Sequence, residues 1–141
     1  MMRPATVHLD YRSEDTRMHC ARYLSAISEN VDFPILAVGD FNSAQIGFPE
    51  AYTTSSGMNP LTYLLCKGGF TSAPNLSPHS RYLTFSSEKP AVIIDWVLGK
   101  GAITISDSKV IPSKLSDHLM VTAYIQFRSQ AGKGREDEMT P

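Results

Sequence analysis

Four short stretches of this 141-residue sequence combine carboxylate, imidazole and amide side chains, the groups that serve acid–base catalysis and the binding of hard cations. Asp95 is the hardest of them to explain structurally, because it interrupts the apolar run at residues 92–98 and an unpartnered buried carboxylate costs several kcal/mol. Taken alone, each stretch also fits an ordinary role as a turn, a satisfied buried acceptor, a cap or surface pair, or a structural strand histidine. The residues concerned are His8, Asp40 with Asn42, Asp95, and Asp117 with His118.

Together, the same residue types fit metal-assisted hydrolysis of a phosphoester. A buried carboxylate can fix the tautomer of a histidine and stabilise its protonated form. A second carboxylate, with an amide two residues later, can hold a water molecule and donate a hydrogen bond to an oxyanion. A third carboxylate can bind a hard divalent cation, which prefers oxygen ligands. Such a set acts on the charge that develops at the phosphoryl oxygens, where the barrier of this reaction lies.

The elements predicted around these residues place two of them at one edge of a sheet. Alternation at residues 5–10 predicts a half-buried strand, residues 14–28 predict a helix, and residues 35–38 predict a buried strand. This order indicates a right-handed βαβ unit with parallel strands. Since α/β sheets bind ligands at the carboxyl ends of parallel strands, His8 and Asp40 are expected to converge. The remaining predicted elements are a short helix at residues 61–67 and strands at 92–98, 102–106 and 119–127, with antiparallel pairing.

Several features of the sequence are interpreted as structural. Ser13 is expected to cap the first helix, which should bury a stripe of Cys20, Leu24 and Ile27. Cys20 and Cys66 share no metal-binding spacing and are interpreted as buried free thiols on helices. The polar stretch 43–59 is predicted to be a surface loop that shapes the mouth of the site together with residues 71–87. Residues 129–141 are predicted to be a disordered tail, which leaves residues 1–128 as one domain.

The composition narrows the class of partner. Lysine and arginine number 13 against 14 aspartates and glutamates, and no basic stripe stands out. Because proteins that grip nucleic-acid backbones usually carry a positive footprint, a small phosphoester is slightly favoured over nucleic acid as substrate. No apolar run is long enough for a membrane-spanning helix, and residues 1–6 show no secretory signal, so a cytoplasmic location is the default expectation.

The order of the motifs adds a specific resemblance. The series His8-Leu9-Asp10, Gly39-Asp40-Phe41-Asn42, Ile94-Asp95-Trp96 and Ser116-Asp117-His118 resembles the endonuclease/exonuclease/phosphatase superfamily, which includes DNase I-like nucleases, inositol polyphosphate phosphatases and sphingomyelinases. The resemblance extends from about residue 7 to residue 127. It implies an α/β (α+β) fold, the DNase I-like four-layer αββα sandwich with mixed sheets, of which this chain covers about the C-terminal half. It also implies a metal-dependent hydrolase of the phosphodiesterase, phosphatase or nuclease type.

The resemblance implies a role for each matching residue. His118 would act at the scissile phosphate, as a general base or as a donor to its oxygens, and Asp95 would orient the His118 ring. Asp40 would position or deprotonate the attacking water. Asn42 and His8 would contact the phosphate.

The resemblance further implies a Mg²⁺ or Mn²⁺ ion held by Asp117 with Asp40. The main metal-ligand glutamate of the superfamily belongs to the N-terminal half, and the seven residues before His8 do not supply it. An alternative interpretation is therefore a truncated, catalytically silent fragment that acts as a structural or interaction module. Half of a sandwich would leave an apolar face and sheet edges uncovered, so self-association through the exposed sheet face is a further expectation.

Overall fold

Two sheets and two α-helices make up the part of the chain that the computed structural model describes, namely residues 3–44, 58–73 and 80–128. This mixture is the α+β architecture that the sequence predicts. The predicted tail at residues 129–141 and the centres of the two predicted mouth segments, residues 45–57 and 74–79, lie outside the described residues. The elements in chain order are β1 (Arg3–His8), α1 (Glu14–Glu29), β2 (Ile35–Asp40), α2 (Pro60–Cys66), β3 (Thr71–Ala73), a 3-10 helix (Ser80–Tyr82), β4 (Asp95–Lys100), β5 (Ile103–Ile111) and β6 (Met120–Phe127).

The larger sheet has four strands in the order β1-β2-β4-β3. β1 and β2 are parallel and joined by α1, as the predicted βαβ unit requires, whereas β4 is antiparallel to both of its neighbours. The predicted mixed sheet is therefore confirmed. β5 and β6 form a separate two-stranded antiparallel sheet, a hairpin whose strands pair from Ile103 with Phe127 to Ile111 with Met120.

The core lies between the larger sheet and the two helices. It joins Ala37 of β2 and Leu98 of β4 to Ala21 of α1 and Leu64 of α2, all of which are at most 1% exposed. Trp96 is the largest fully buried side chain, and its indole Nε1 donates a hydrogen bond to the Ser43 carbonyl at 3.0 Å. Burial of these apolar side chains stabilises the packing of the larger sheet on the helices, and so holds the end of that sheet at which His8, Asp40 and Asp95 lie.

Helix α1 begins as predicted, but the centre of its buried face is shifted from the predicted stripe. The Ser13 hydroxyl accepts a hydrogen bond from the Thr16 amide at 3.1 Å, which is the expected N-cap. The buried face of the helix is Arg17, Ala21, Ser25 and Ser28, whereas Ile27 is 41% exposed. The predicted stripe is therefore wrong at Ile27, whereas Leu24 packs against the core as expected and Cys20 is half-buried.

The prediction that both cysteines are buried is also wrong for Cys66, which is exposed. Cys66 is the last residue of α2 and lies two positions beyond Leu64, which occupies the buried side of that helix. Cys20 is half-buried on α1, and both thiols are free.

Two strands differ from their predictions, and a third, β3, was not predicted. β4 begins at Asp95 instead of residue 92, because the Val92 carbonyl accepts a hydrogen bond from the Thr84 amide and the Ile94 carbonyl accepts one from the Phe41 amide, both at 2.9 Å. β5 continues beyond residue 106 through an irregularity in register that contains Asp107, whose φ is +48°. β3 has only three residues, too few for an alternating pattern to show.

Candidate active site

The register of the larger sheet places three of the predicted site residues in one row. His8 pairs with Asp40 between the parallel strands β1 and β2, and Asp40 pairs with Asp95 between the antiparallel strands β2 and β4. β1 and β2 end at this row and β4 begins there. Asp95 is thus the first residue of its strand and lies at the sheet edge, instead of in the middle of a strand as the sequence suggested.

Gly39 allows β1 and β2 to approach each other just before this row. Its φ is +137°, and a Cβ atom at this position would lie 2.0 Å from the Val7 carbonyl oxygen. Only glycine is compatible with that distance. Asn42, two residues after Asp40, has a φ of +45°, a left-handed conformation that asparagine tolerates better than most residues.

Asp40 and Asn42 form a closed hydrogen-bonded unit. Asp40 Oδ1 accepts a hydrogen bond from the backbone amide of Asn42 at 2.7 Å, and Asp40 Oδ2 accepts one from the side-chain Nδ2 of Asn42 at 2.9 Å. Asn42 Nδ2 also donates to the Leu9 carbonyl at 2.8 Å. Since an amide nitrogen carries two hydrogens, both are in use, and Asn42 would have to release one of these partners to donate to a phosphate oxygen.

His118 and Asp95 form the other polar pair of the site. His118 Nδ1 lies 2.9 Å from Asp95 Oδ2, and the side chains are 25% and 17% exposed. An ionised carboxylate only accepts hydrogen bonds, so Nδ1 carries the proton in this pair. The other ring nitrogen, Nε2, is then the atom that can accept a proton from a reactant or, when protonated, donate one.

The surroundings of His118 favour its charged form. Burial lowers the pKa of His118, but the hydrogen bond to Asp95 and the negative charges of Asp95, Asp40 and Asp117 outweigh burial, so its pKa is raised above the ordinary value of 6.5. A larger fraction of His118 is therefore protonated at neutral pH than in a free histidine.

The pKa of Asp40 is shifted in the direction that favours its neutral form. Burial raises its pKa above the ordinary value of 3.8, the hydrogen bond from the Asn42 amide opposes this shift, and the charge of Asp95 adds to it. A carboxylate with a raised pKa is a better proton acceptor than an exposed one.

Two residues that the sequence did not single out, Thr84 and Phe85, support the pair of Asp95 and His118. Thr84 is 0% exposed, and its Oγ1 accepts hydrogen bonds from the amides of Ile94 and Asp95 at 3.2 and 3.3 Å. The Thr84 carbonyl accepts from the Leu119 amide at 2.8 Å, so Thr84 connects the segments that carry Asp95 and His118. The Phe85 ring lies 4.9 Å from the His118 ring between centroids. A threonine and a phenylalanine in an unremarkable stretch give no sequence signal for such a role.

The last two predicted site residues lie at the rim. His8 is 79% exposed, and its Nε2 is 3.7 Å from Asp40 Oδ2, too far for a direct hydrogen bond. Asp117 is exposed, and its Oδ1 accepts a hydrogen bond from the Ser116 hydroxyl at 3.2 Å.

A cavity of about 480 Å³ connects these residues. Five of the six predicted site residues line it, and the sixth, Asp95, contacts the cavity residue His118. The wall combines charged and apolar side chains, which is typical of a small-molecule site. The lining residues are His8, Tyr11, Arg17, Asp40, Asn42, Ala44, Phe85, Val92, Ile94, Asp117 and His118.

The described residues do not by themselves form a metal site. No group of three or more histidine, cysteine, aspartate or glutamate side chains within residues 3–44, 58–73 and 80–128 is arranged to hold an ion. Both oxygens of Asp40 accept hydrogen bonds from Asn42, which leaves the exposed Asp117 as the more accessible carboxylate of the predicted pair. A complete coordination shell would need further ligands.

Neither described helix has the length and apolar character needed to cross a membrane.

Comparisons with known proteins identify the fold. No protein-family model and no curated protein matches the sequence. Solved structures do match, among them an endonuclease/exonuclease/phosphatase family protein from Bacteroides thetaiotaomicron, with a TM-score of 0.65 at 15% identity. A mannosyl-6-phosphatase from the same bacterium has a TM-score of 0.61 at 15% identity, and the catalytic domain of human Nocturnin, solved with a bound sulfate anion, has a TM-score of 0.60 at 16% identity.

These matches cover most of this chain but only part of each structure. The match to the endonuclease/exonuclease/phosphatase family protein covers 87% of this chain and 49% of that structure. The match to the mannosyl-6-phosphatase covers 86% and 50%, and the match to Nocturnin covers 87% and 46%. The chain therefore spans about half the length of the structures it matches. The resemblance predicted from the motif order is confirmed at the level of the fold. Most of this chain has the DNase I-like fold of the endonuclease/exonuclease/phosphatase proteins, and it covers about half of that fold.

Proposed function

We propose that this chain carries the C-terminal half of the active site of a divalent-metal-dependent phosphoesterase, with His118, Asp95 and Asp40 as its central groups. The observation that carries the proposal is the 2.9 Å contact between His118 Nδ1 and Asp95 Oδ2 beside a cavity that Asp40 also lines. The structural neighbours support the reaction class, since one is a sugar phosphatase and another holds sulfate, a tetrahedral oxyanion like phosphate.

The proposed reaction is attack of water on phosphorus with cleavage of the ester P–O bond. Asp40, whose raised pKa favours proton uptake, orients the water and accepts a hydrogen bond or proton from it. Protonated His118 donates from Nε2 to a phosphoryl oxygen, where negative charge develops, and Asp95 stabilises the charged ring. When His118 is neutral, the same nitrogen can accept the proton of the attacking water.

The positions of Asn42 and His8 support a proposed role for each. Asn42 fixes both oxygens of Asp40, and on release of one amide hydrogen it would contact a phosphate oxygen. His8, largely exposed at the rim, is placed to meet the part of the substrate that projects from the cavity.

Dependence on Mg²⁺ or Mn²⁺ is part of the proposal. Asp117 would supply one oxygen ligand and Asp40 a second, and the remaining ligands would come from outside the described residues, because those residues alone do not complete a site. The ion would neutralise charge on the phosphoryl group.

A small phosphoester is the proposed substrate class. The net charge of −1 and the absence of a basic stripe in the sequence do not favour a polymeric nucleic acid.

The first prediction is that activity depends on His118. Release of nitrophenol from p-nitrophenyl phosphate and from its diester, measured with Mg²⁺ or Mn²⁺, should fall about 10²- to 10⁴-fold in kcat/KM in His118→Ala, since general acid–base catalysis contributes about that factor. His19→Ala removes an exposed histidine of α1 and serves as the matched control. Equal turnover in wild type and His118→Ala, or none in the wild type with either ion, would contradict the proposal.

A second candidate function, an interaction module, is favoured by a different surface. Ile111, Met120 and Tyr124, which we name the hairpin patch, are 38%, 56% and 63% exposed on the β5–β6 hairpin. Exposed apolar groups of this size on a sheet are typical of a docking surface. The hairpin patch would mediate self-association, whether or not the chain is catalytically active.

A further inference from the structure

Arg17 is a buried cation that forms no ion pair with any described carboxylate, although its charge contributes to the lowered pKa of the exposed Asp10. It lies on the inner face of α1 and is 8% exposed. Its Nη1 donates to the Asp10 carbonyl at 2.7 Å, which is the one hydrogen bond its guanidinium makes within the described part of the chain. Its Nε is buried and has no acceptor there.

No carboxylate lies within ion-pair distance of Arg17 among the described residues, where both ion pairs are between histidine and aspartate. Asp10 is nearby in sequence, but its Oδ1 accepts from the amides of Arg12 and Ser13, at 2.6 and 3.1 Å. Burying a charge without a counter-ion is unfavourable, and such a charge is usually compensated by a bound anion or by a paired side chain.

The location of Arg17 indicates where its anion would come from. Arg17 lines the same cavity as Asp40, Asn42 and His118. With Nη1 fixed on the Asp10 carbonyl, the guanidinium edge formed by Nε and Nη2 makes no hydrogen bond in the described residues. That edge has the fork geometry that matches two oxygens of a phosphoryl group.

We propose that Arg17 binds the phosphoryl group of the substrate, through Nε and Nη2 to two non-bridging oxygens. This inference rests on the proposed function and adds to it a cationic binding residue that belongs to none of the four sequence motifs. It also explains why a long charged side chain occupies a helix face otherwise made of Ala21, Ser25 and Ser28. If Arg17 only supported the turn after β1 by binding the Asp10 carbonyl, its Nε–H would not respond to an anion.

The test is an NMR titration of the ¹⁵N-labelled wild-type chain with inorganic phosphate. The Nε–H signal of a buried arginine is protected from solvent and can be followed directly, together with the ring signals of His118. Binding should shift the Arg17 Nε–H and the His118 signals with the same saturation curve. A shift at His118 alone would overturn the Arg17 inference and leave the proposed function standing. A shift at neither residue would overturn both.

Variants give a second, independent readout. Arg17→Gln should weaken phosphate binding about 10- to 100-fold, the range for loss of charge-assisted hydrogen bonds. Arg17→Lys retains the charge but loses the fork and should give an intermediate value. Arg22→Gln, an exposed position on the same helix, should leave the phosphate affinity within about twofold of wild type. An unchanged phosphate affinity in a folded Arg17→Gln would overturn the inference, and if that variant does not fold, the wild-type titration decides.

Discussion

At the residue scale, the contact between His118 and Asp95 links the protonation of the site to pH. The pKa of His118 is raised because the hydrogen bond and the nearby negative charges outweigh its burial. A histidine whose folded pKa exceeds its unfolded pKa stabilises the fold below the unfolded value of about 6.5. That stabilisation is lost as the pH rises through the folded pKa. The pair therefore contributes most to stability in mildly acidic solution.

Replacing Asp95 with asparagine should lower the pKa of His118. The change removes the negative charge of Asp95 and weakens its hydrogen bond, the two strongest interactions that favour the charged His118 ring. Burial of His118, which lowers its pKa, remains. A ¹H–¹³C NMR titration of the His118 ring measures this, with Asp15→Asn, an exposed change on α1, as control. A His118 pKa in Asp95→Asn that equals or exceeds the wild-type value would show that Asp95 does not hold the ring.

Residue type and order were sufficient to single out six polar residues that line the cavity or contact a residue that does. An aspartate in an apolar run is costly without a partner, so Asp95 could be singled out, and its partner proved to be His118. Thr84 and Arg17 could not be found in this way. The importance of Thr84 arises from two backbone amides that only the folded chain brings to its hydroxyl, and Arg17 sits in a helix where a surface arginine is ordinary.

At the element scale, the segment around Thr84 is what joins the start of β4 to the residues before β6. Its hydroxyl accepts from Ile94 and Asp95, and its carbonyl accepts from Leu119, the neighbour of His118. This segment therefore supports the relative position of Asp95 and His118, together with their direct contact.

Thr84→Val should lower both stability and turnover. The substitution keeps the shape but leaves two amides without an acceptor, and the free energy of unfolding should fall by about 1–3 kcal/mol. Urea denaturation measures the loss, and Thr6→Val, on the exposed face of β1, is the matched control. If both variants denature at the same urea concentration, the hydroxyl of Thr84 has no supporting role.

Local sequence patterns predicted the elements that have one buried face and one solvent-exposed face. Alternation in β1 and β6 and the Ser13 cap of α1 are visible in the sequence because one face of each element meets solvent. The start of β4 was placed three residues early because an apolar run does not reveal that residues 92–94 bond to Thr84 and Phe41 instead of continuing the ladder. The extension of β5 was missed because Asp107 and Ser108 resemble a turn but form an irregularity within the strand.

At the scale of the whole molecule, the hairpin patch of Ile111, Met120 and Tyr124 is an exposed apolar feature of the second sheet, where Phe127 is also exposed. A two-stranded hairpin has no inner strand, so each of its strands is an edge and its outer face is uncovered within the described residues. This arrangement favours association of one copy with another, or with a protein that supplies the rest of a sandwich.

Sedimentation velocity should show the chain as a dimer or larger species that dissociates when the hairpin patch is charged. The double substitution Met120→Lys with Tyr124→Lys places two charges on that patch and should give a monomer. Tyr23→Lys changes an equally exposed aromatic residue on α1 and should leave the association unchanged. A wild type that is monomeric at every concentration contradicts this use of the hairpin.

The order of strands in the larger sheet could not be predicted from local patterns. β4 lies between β2 and β3, although both of those strands precede it in the chain, and this pairing depends on contacts between distant residues. The motif order nevertheless indicated the correct fold, because it resembles the order of motifs in the endonuclease/exonuclease/phosphatase superfamily, whose solved members share this fold.

The close approach of β1 and β2 at Gly39 has a consequence for how this sequence can vary. A side chain at that position would collide with the Val7 carbonyl, which belongs to the backbone and cannot be removed by any second substitution. The position is therefore closed to every other amino acid for as long as the two strands pair in this register. A cavity side chain can be replaced without moving the backbone, but this glycine can change only if the strands β1 and β2 move apart.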